Sequence, residues 1–375
     1  MDGFPKKNNT MIQISKPNIT EQEILAVTET LRSGQLAQGP KVAEFEQQFA
    51  EYCGSKYAVA VNNGTSALHC ALYSLNIGPG DEVITTPFTF GATANSILMQ
   101  NAKVIFADIS EIDFNIDPAS IETHITGKTK AVIPVDLYGQ IYNVDEVDRL
   151  AKKYSLEIIE DAAQSIGAEF QGIKSGNLGS VSTFSFYVTK NITAGVGGMI
   201  TTNDENIVRK CKLFRHHGQD EQNIYEYLTF GFNYRMMDMI AAMGSVQLSR
   251  VSELNGARRK NAEIFLQELK SIPGIILPRV KQGFKHAWHQ FTLRITPEFK
   301  LSRDAFVSAM YKKGIQCKIY YPKPLHLFDQ FKASGFREGD FPVCEKLAKE
   351  VVSIPIHPLV SQNEIDYIIE SIKEM

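Results

Sequence analysis

The sequence predicts an α/β fold in which a mostly parallel sheet lies between helices, followed by a smaller α+β unit. Between residues 57 and 161, short apolar segments alternate with amphipathic segments of helical period. The apolar segments are nearly continuous, as expected for strands that are buried on both faces. After about Arg250 the alternation ends, and a long helical segment precedes a strand rich in aromatic residues. We therefore expect a large domain over residues 1–250, which begins with an N-terminal arm, and a small domain over residues 251–375.

The first elements follow from capping signals and from periodicity. Thr20 and Glu23 have the spacing of a capping box, so a helix is expected to begin directly after Thr20. The next elements are expected in this order: a helix over Lys41–Tyr52, a strand over Tyr57–Val61, a turn over Asn62–Thr65 and a helix from Ser66.

The succession of strand and helix then repeats. Strands are predicted in "DEVITTP", "AKVIFADI", "KAVIPVDLYG" and "LEIIED". Helices are predicted in "FGATANSILMQ", after the N-cap Asp117 with Pro118 at the first helical position, and over residues 144–154. Strands that alternate with helices in this way favour parallel pairing.

The second unit mixes helices and strands in a different style. Ser302 is the expected N-cap of one helix, and Ser361 with Glu364 forms a second capping box. Between the long helix in "LNGARRKNAEIFLQELKSI" and the last helix, strands are predicted in "HAWHQFTLRI" and "QCKIYYP".

Composition excludes several classes of protein. The chain has 375 residues, 43% of them apolar and 22% charged, which is enough apolar sequence for a large core. A net charge of −3 gives no indication of binding to nucleic acid or to an anionic membrane. The five cysteines are scattered without a CxxC or zinc spacing, so we expect buried thiols and no metal site. Without an apolar leader or a membrane-length apolar run, we expect a cytoplasmic protein.

A possible anion site lies at the turn after the first strand. Gly64, Thr65 and Ser66 open a helix there, and the N–H groups at a helix N-terminus bind phosphate. The same residues also suit an ordinary N-cap turn. Neither GxGxxG after a strand nor GxxxxGK[ST] occurs, so the usual dinucleotide and P-loop signals are missing.

Asp161 and Lys190 are the candidate catalytic pair. Asp161 ends the apolar strand "LEIIED", where a carboxylate needs a cationic or hydrogen-bonded partner. That partner is either a structural cation or a ligand with a protonated nitrogen. Lys190 is either a solvated surface residue or an amine held partly desolvated for covalent chemistry. Together with Ser185 and the anion site, the pair matches what pyridoxal 5′-phosphate (PLP) requires: an amine, a carboxylate and a phosphate site.

These residues belong to segments that resemble the DegT/StrS sugar aminotransferases, a group of fold-type I PLP enzymes. Nine segments follow the order of that family along nearly the whole chain: "SGQLAQGPKVAEFE", "NNGTSAL", "EVITTPFTFGATANSI", "VDLYGQ", "IIEDAAQSIGA", "FSFYVTKNITAGVGG", "RHHG", "FGFNYRMMDMIAA" and "YYPKPLHL". The resemblance implies a seven-stranded, mostly parallel sheet in the large domain.

The resemblance also implies a role for each site residue. Lys190 would bond to the cofactor aldehyde and shuttle the proton, and Asp161 would keep the pyridine nitrogen protonated. Gln164 would contact the ring hydroxyl, and Phe90 would stack on the ring, although Phe90 also suits a core position. The other expected contacts are Gly64, Thr65, Ser66 and Ser185 to the phosphate, Asn233 to the phosphate of the neighbouring subunit in a homodimer, and Tyr321 and His326 to the sugar. A turn role for Asn233 and a packing role for Tyr321 and His326 stay open.

One residue departs from the family pattern. Family members often have an acidic residue in the loop after the lysine, as G-E-G-G, where this chain has Val196 in "GVGG". Valine has no hydrogen-bonding group and no charge, so the sugar or its orientation is expected to differ.

By resemblance, we expect a nucleotide-linked keto-sugar as acceptor and glutamate as amino donor. The segment "TKNIT" is similar to enzymes that aminate C4 of a 4-keto-6-deoxy sugar. A C3 keto-sugar, a cyclitol ketone, and a PLP-binding regulatory protein without turnover are the alternatives.

Overall fold

The computed structural model describes residues 11–220, 223 and 225–375. Its strands within that part of the chain are β1 (Tyr57–Val61), β2 (Glu82–Thr85), β3 (Lys103–Phe106), β4 (Thr129–Ile133), β5 (Glu157–Asp161), β6 (Glu169–Phe170), β7 (Ile173–Lys174), β8 (Val181–Ser185), β9 (Gly198–Thr202), β10 (Ile275–Ile276), β11 (Phe284–Lys285), β12 (Phe291–Ile295) and β13 (Val351–Ile354).

The main element is a seven-stranded sheet with the order β1-β9-β8-β5-β4-β2-β3. The four pairs from β8 to β3 are parallel, whereas β9 runs antiparallel to both β1 and β8. The prediction of a mostly parallel seven-stranded sheet between helices is therefore confirmed. Two three-stranded sheets, β10-β12-β13 and β11-β6-β7, complete the strands that the described residues form.

The helices are α1 (Glu21–Ser33), α2 (Pro40–Cys53), α3 (Gly64–Ser74), α4 (Gly91–Met99), α5 (Pro118–His124), α6 (Val144–Tyr154), α7 (Glu205–Arg215), α8 (Asp238–Ser249), α9 (Val251–Leu269), α10 (Arg303–Lys312), α11 (Asp329–Lys332), α12 (Pro342–Glu350) and α13 (Gln362–Lys373). The two predicted capping boxes and the N-caps Asp117 and Ser302 are confirmed. Helix α3 begins at Gly64, earlier than predicted, because the Asn63 side chain accepts from Ser66 N at 2.9 Å and caps it.

Both faces of the main sheet are buried. Along β1, Val59 and Val61 join one apolar cluster, while Ala58 and Ala60 join the cluster on the opposite face. This is the burial pattern that the continuous apolar strand segments predict.

The chain after residue 250 forms a second apolar core around the antiparallel sheet β10-β12-β13 and helices α9, α10 and α13. The N-terminal segment packs here as well, since Ile12 N donates to Gly314 O at 2.8 Å and Gln316 N donates to Ile12 O at 2.9 Å. In contrast, Leu347 of α12 packs into the core of the main sheet. The division into domains at residue 250 stays a prediction.

The predicted strand in "QCKIYYP" is wrong. Only Lys318 forms a bridge, to Ser353 of β13. The following side chains, Ile319, Tyr320 and Tyr321, turn away from β13 and pack against the core of the main sheet. Their apolar contacts place Tyr321 near the carboxyl ends of the parallel strands.

All five cysteines are buried and none forms a disulfide, as predicted. Among the described residues, no helix combines the length and the apolar character needed to cross a bilayer. The described residues also contain no cluster of three or more side chains suited to a metal ion.

Candidate active site

Asp161 lies at the carboxyl end of β5, where it is only 4% exposed. Its Oδ2 accepts from the Thr93 hydroxyl at 2.8 Å and its Oδ1 accepts from Ala163 N at 3.2 Å. Burial raises the pKa of the Asp161 carboxyl, while Thr93, Ala163 and the charge of Lys190 oppose that rise. The carboxylate is therefore preorganised for a cationic partner, and a protonated ring nitrogen would supply one.

Lys190 follows β8, the parallel neighbour of β5, in a turn in which Lys190 N donates to Tyr187 O at 2.8 Å. Desolvation lowers the pKa of the half-buried ammonium to about 8, and Asp161 acts in the opposite direction. Within the described residues, no side-chain acceptor lies within hydrogen-bond distance of the Lys190 ammonium. An amine with a lowered pKa and no fixed partner is suited to attack a carbonyl carbon.

Asn191 anchors the turn that holds Lys190. Its Nδ2 donates to Asn255 Oδ1 of α9 at 2.8 Å and to Ala287 O at 2.7 Å. Its Oδ1 lies 3.1 Å from His289 Nδ1. Asn255 in turn donates to Ile166 O at 2.8 Å, so one amide on α9 contacts both the Lys190 turn and the turn after Asp161.

His289 lies against this anchor as a neutral ring. Because both Asn191 Nδ2 bonds are donated, Asn191 Oδ1 acts as the acceptor and His289 Nδ1 carries the hydrogen. Burial lowers the pKa of His289 well below its ordinary value, and the nearby charges of Lys190 and Arg258 lower it further. The ring therefore adds no positive charge beside Lys190.

The predicted phosphate-binding turn, residues 63–66, lies directly against the end of β8. A Cβ added at Gly64 would lie 3.0 Å from Ser185 Cβ and 3.4 Å from Ser185 Oγ. Gly198 is more tightly constrained, since a Cβ there would lie 2.4 Å from Asn63 O. The N-terminus of α3 therefore meets the Ser185 hydroxyl, and the first N–H groups of α3 have no acceptor within the helix.

Gln164 links the turn after Asp161 to a neighbouring loop and to Tyr321. Its Oε1 accepts from Tyr138 N at 3.0 Å, and its Nε2 lies 3.5 Å from the Tyr321 hydroxyl. Burial and the charge of Asp161 raise the pKa of Tyr321 well above its ordinary value, which keeps the phenol protonated. Tyr321 is thus brought to the catalytic edge of the sheet.

Two of the predicted contacts have exposed side chains, and so does Val196, the residue that departs from the family pattern. Phe90, the N-cap residue of α4, is 66% exposed, which rules out the alternative of an ordinary core aromatic. Val196 is 52% exposed, and Asn233 is also exposed. Asn233 lies beside the predicted phosphate-binding turn of its own chain, where its carbonyl accepts from Asn62 Nδ2 at 3.5 Å.

His326 does not fit the predicted sugar contact. Its side chain is fully buried, its Nε2 lies 3.0 Å from Glu345 Oε1, and its ring packs on Phe341 with centroids 4.8 Å apart. A ring with no accessible surface cannot face a ligand, so the alternative of structural packing holds for His326.

Four polar residues of this site were missing from the sequence predictions: Thr93, Asn191, Asn255 and His289. Only Asn191 could have been suspected from local sequence, because it directly follows the candidate lysine. The other three become recognisable through contacts between residues distant in the chain.

The chemistry of the site fits PLP. An unpaired amine, a buried carboxylate and a helix N-terminus beside a hydroxyl converge at the carboxyl ends of adjacent strands, where ligands bind in α/β sheets. The amine suits an aldehyde, the carboxylate a pyridine nitrogen, and the helix end a phosphate.

Comparison with known proteins supports this chemistry. The model of the DegT/DnrJ/EryC1/StrS aminotransferase family matches residues 17–373. A dTDP-3-amino-3,6-dideoxy-alpha-D-galactopyranose transaminase of Aneurinibacillus thermoaerophilus is 38% identical, over 92% of this chain and 93% of its own. A "pleiotropic regulatory protein" of Geobacillus stearothermophilus is 41% identical, over 94% of each chain.

Solved structures agree. DesV of S. venezuelae, in complex with a ketimine intermediate, is 34% identical with a TM-score of 0.90 over 94% of each chain. The putative sugar aminotransferase Spr1654 of Streptococcus pneumoniae, solved in a PLP form, is 29% identical with a TM-score of 0.91 over 97% of this chain and 98% of its own. The protein is therefore an aminotransferase with the fold-type I architecture, and the chain belongs to the DegT/DnrJ/EryC1/StrS family.

Proposed function

We propose that the protein uses PLP to transfer an amino group from glutamate to a nucleotide-linked keto-sugar in amino-sugar biosynthesis. The observation on which this depends most is the unpaired, partly desolvated amine of Lys190 beside the buried carboxylate of Asp161. The transaminase of Aneurinibacillus thermoaerophilus, whose name describes a nucleotide-linked amino sugar, supports the class of acceptor.

Each residue has a role in this proposal. Bound PLP supplies an aldehyde that accepts amines and a protonated ring that withdraws electrons. Asp161 holds the proton on the ring nitrogen, and Lys190 holds the cofactor and moves the proton at the reacting carbon. Gln164 contacts the ring hydroxyl and Phe90 stacks on the ring. The phosphate is held by Gly64, Thr65, Ser66 and Ser185 of one chain and by Asn233 of a second chain.

The half-reactions follow from covalent capture of the amine. Glutamate leaves its amino group on the enzyme and departs as 2-oxoglutarate, and the keto-sugar then accepts that group. Dividing one exchange into two steps lowers each barrier. Tyr321, which contacts Gln164, lies on the side where the sugar would bind.

The favoured acceptor is a 4-keto-6-deoxy sugar, from the similarity of "TKNIT" to enzymes that aminate C4. The name of the Aneurinibacillus relative instead specifies an amine at C3, which makes a 3-keto-sugar the second candidate. A PLP-binding regulator without turnover is the third, because the relative from Geobacillus is named as a regulatory protein.

A substrate panel separates these candidates. We expect the protein, incubated with PLP, glutamate and 4-keto or 3-keto nucleotide sugars, to give an amino sugar detectable by mass from a 4-keto substrate. Lys190→Ala should keep the fold and lose turnover, while Lys152→Ala on the exposed face of α6 should leave turnover unchanged. Conversion of 3-keto sugars alone would overturn the C4 assignment. Binding of PLP without conversion of any keto-sugar or cyclitol ketone would favour the regulator.

Gly198→Ala should weaken PLP binding. The new methyl group would displace Asn63 and so move the N-terminus of α3 away from Ser185. We expect the Kd for PLP, measured by absorbance titration, to rise about tenfold, the equivalent of one lost charge-assisted hydrogen bond.

Gly256→Ala is the matched control, because Gly256 lies exposed on α9 with no atom within 4 Å of the added Cβ. Unchanged affinity in Gly198→Ala, with circular dichroism like that of the parent, would refute the proposed phosphate site.

A homodimer with shared sites is part of the proposal. The segment 225–237 exposes several large apolar side chains around Asn233: Tyr227 at 61%, Phe230 at 65%, Phe232 at 37% and Met237 at 45%. Exposed apolar side chains concentrated in one segment favour burial against another surface, and a second copy would place Asn233 at its neighbour's phosphate.

Mixing two inactive variants tests the sharing directly. Lys190→Ala and Asn233→Ala should each have low activity, and refolding them together should restore about a quarter of the parent activity, because half of the dimers then contain one intact site. Mixing Lys190→Ala with Lys190→Ala,Asn233→Ala is the control and should restore nothing. No recovery in the first mixture would show that Asn233 serves the site of its own chain.

A further inference from the structure

Two fully buried carboxyl groups lie in contact behind the active site. Asp136 follows β4, Glu160 is the next-to-last residue of β5, and both side chains are 0% exposed. The two carboxyl groups lie within hydrogen-bonding reach of each other, so a proton between them would join them. Two carboxylates in contact repel each other unless a cation or a proton lies between them.

Three of the four carboxyl oxygens have ordinary donors. Asp136 Oδ1 accepts from Tyr142 N at 3.1 Å, and Asp136 Oδ2 accepts from the Ser165 hydroxyl at 2.6 Å. Glu160 Oε2 accepts from the Ser182 hydroxyl at 2.5 Å and from Gly176 N at 3.0 Å. Glu160 Oε1 is buried and has no donor.

No cation neutralises the pair within the part of the chain that the structure describes. Two titratable groups that interact with the pair are the Tyr142 phenol and the Cys53 thiol, and burial raises the pKa of both, which keeps them neutral. Lys174 lies near Cys53, but its ammonium donates to Tyr52 O at 2.7 Å and lies over the Tyr52 ring. A proton is the remaining counter-charge.

We propose that Asp136 and Glu160 share one proton at neutral pH, which lies between the Asp136 carboxyl and Glu160 Oε1. The shared proton gives Glu160 Oε1 its missing partner and reduces the buried charge of the pair from two to one. Burial at both residues is the physical reason that the proton is retained.

The protonated pair positions Asp161 and Gln164, two of the proposed cofactor-binding residues. Asp136 N donates to Asp161 O at 3.1 Å, and Asp136 accepts from Ser165, the residue after Gln164. The loop after Asp136 also supplies Tyr138 N to Gln164 Oε1. Asp136 and Glu160 are therefore positioning residues for Asp161 and Gln164, which they hold through backbone and hydroxyl contacts.

Infrared spectroscopy tests the shared proton directly. At pH 7 the parent should show a carbonyl stretch of a protonated carboxylic acid that shifts in D2O. Glu160→Gln, whose amide can donate to Asp136 in place of the proton, should fold and lose that band. Glu157→Gln, at the exposed start of the same strand, should retain it. Should Glu160→Gln fail to fold, Asp136→Asn serves instead and should also lose the band.

A band that stays unchanged in the folded pair variants, or that is missing from the parent, would overturn the proposal. Neither PLP nor a sugar is needed for this measurement, so its result is independent of the proposed function.

The pH dependence of unfolding supplies a second readout. The folded state binds one proton that the unfolded state releases above about pH 5, so stability is lost as pH rises toward the pKa of the pair. As pH rises above about 6, the unfolding constant of the parent, relative to that of Glu160→Gln, should rise, by at most about tenfold per pH unit while the pair stays protonated. Parallel pH profiles for the parent and Glu160→Gln in urea denaturation would contradict the shared proton.

Discussion

The parallel pairing of β5 with β8 is the constraint on which the site depends. In this pairing Asp161 lies opposite Thr183, and Thr183 is two residues before Ser185. The carboxyl ends of β5 and β8 therefore lie at the same edge of the sheet. The chain after β8 then needs only five residues to reach Lys190. Asp161 and Lys190 are 29 positions apart in sequence, and this pairing brings them close enough for each to shift the pKa of the other. The fold thus assembles the candidate catalytic pair through strand register.

Burial gives that pair its chemistry. An exposed lysine keeps its ordinary pKa, whereas partial desolvation lowers the pKa of Lys190 to about 8, so that more of the amine is neutral at pH 7 than in an exposed lysine. The carboxyl of Asp161 is shifted in the opposite sense by the same cause. A ligand with a protonated nitrogen would stabilise the ionised form of Asp161, so cofactor binding and carboxylate ionisation favour each other. The proposed pair of Asp136 and Glu160 follows the same rule that a buried carboxylate needs a positive partner. In that pair the partner is a shared proton and not a ligand.

Local sequence patterns predicted the elements whose residues respond mainly to their own neighbours. Continuous apolar segments identified the strands that are covered on both faces, and Thr20 with Glu23 or Ser361 with Glu364 identified helix starts whose hydrogen bonds close within four residues. These are features in which local chemistry determines the outcome.

The features that sequence patterns missed depend on contacts distant in the chain. "QCKIYYP" was predicted as a strand, but its aromatic side chains pack on the core of the main sheet, and only Lys318 bridges to β13. His326 lies in a segment that resembles a sugar site, yet the Glu345 carboxylate and the Phe341 ring, from another segment, enclose it. Asn255 and His289 contact the Lys190 turn from more than sixty positions away, which a single sequence does not reveal.

The central claim is that Lys190 holds the cofactor covalently through its amine. Its most direct test is to add PLP to the purified protein, reduce with borohydride, digest, and locate the added mass by mass spectrometry. The account predicts one phosphopyridoxyl group per chain, on the peptide that contains Lys190. A reduced adduct on a different lysine, or none at all in protein that is otherwise folded, would contradict it.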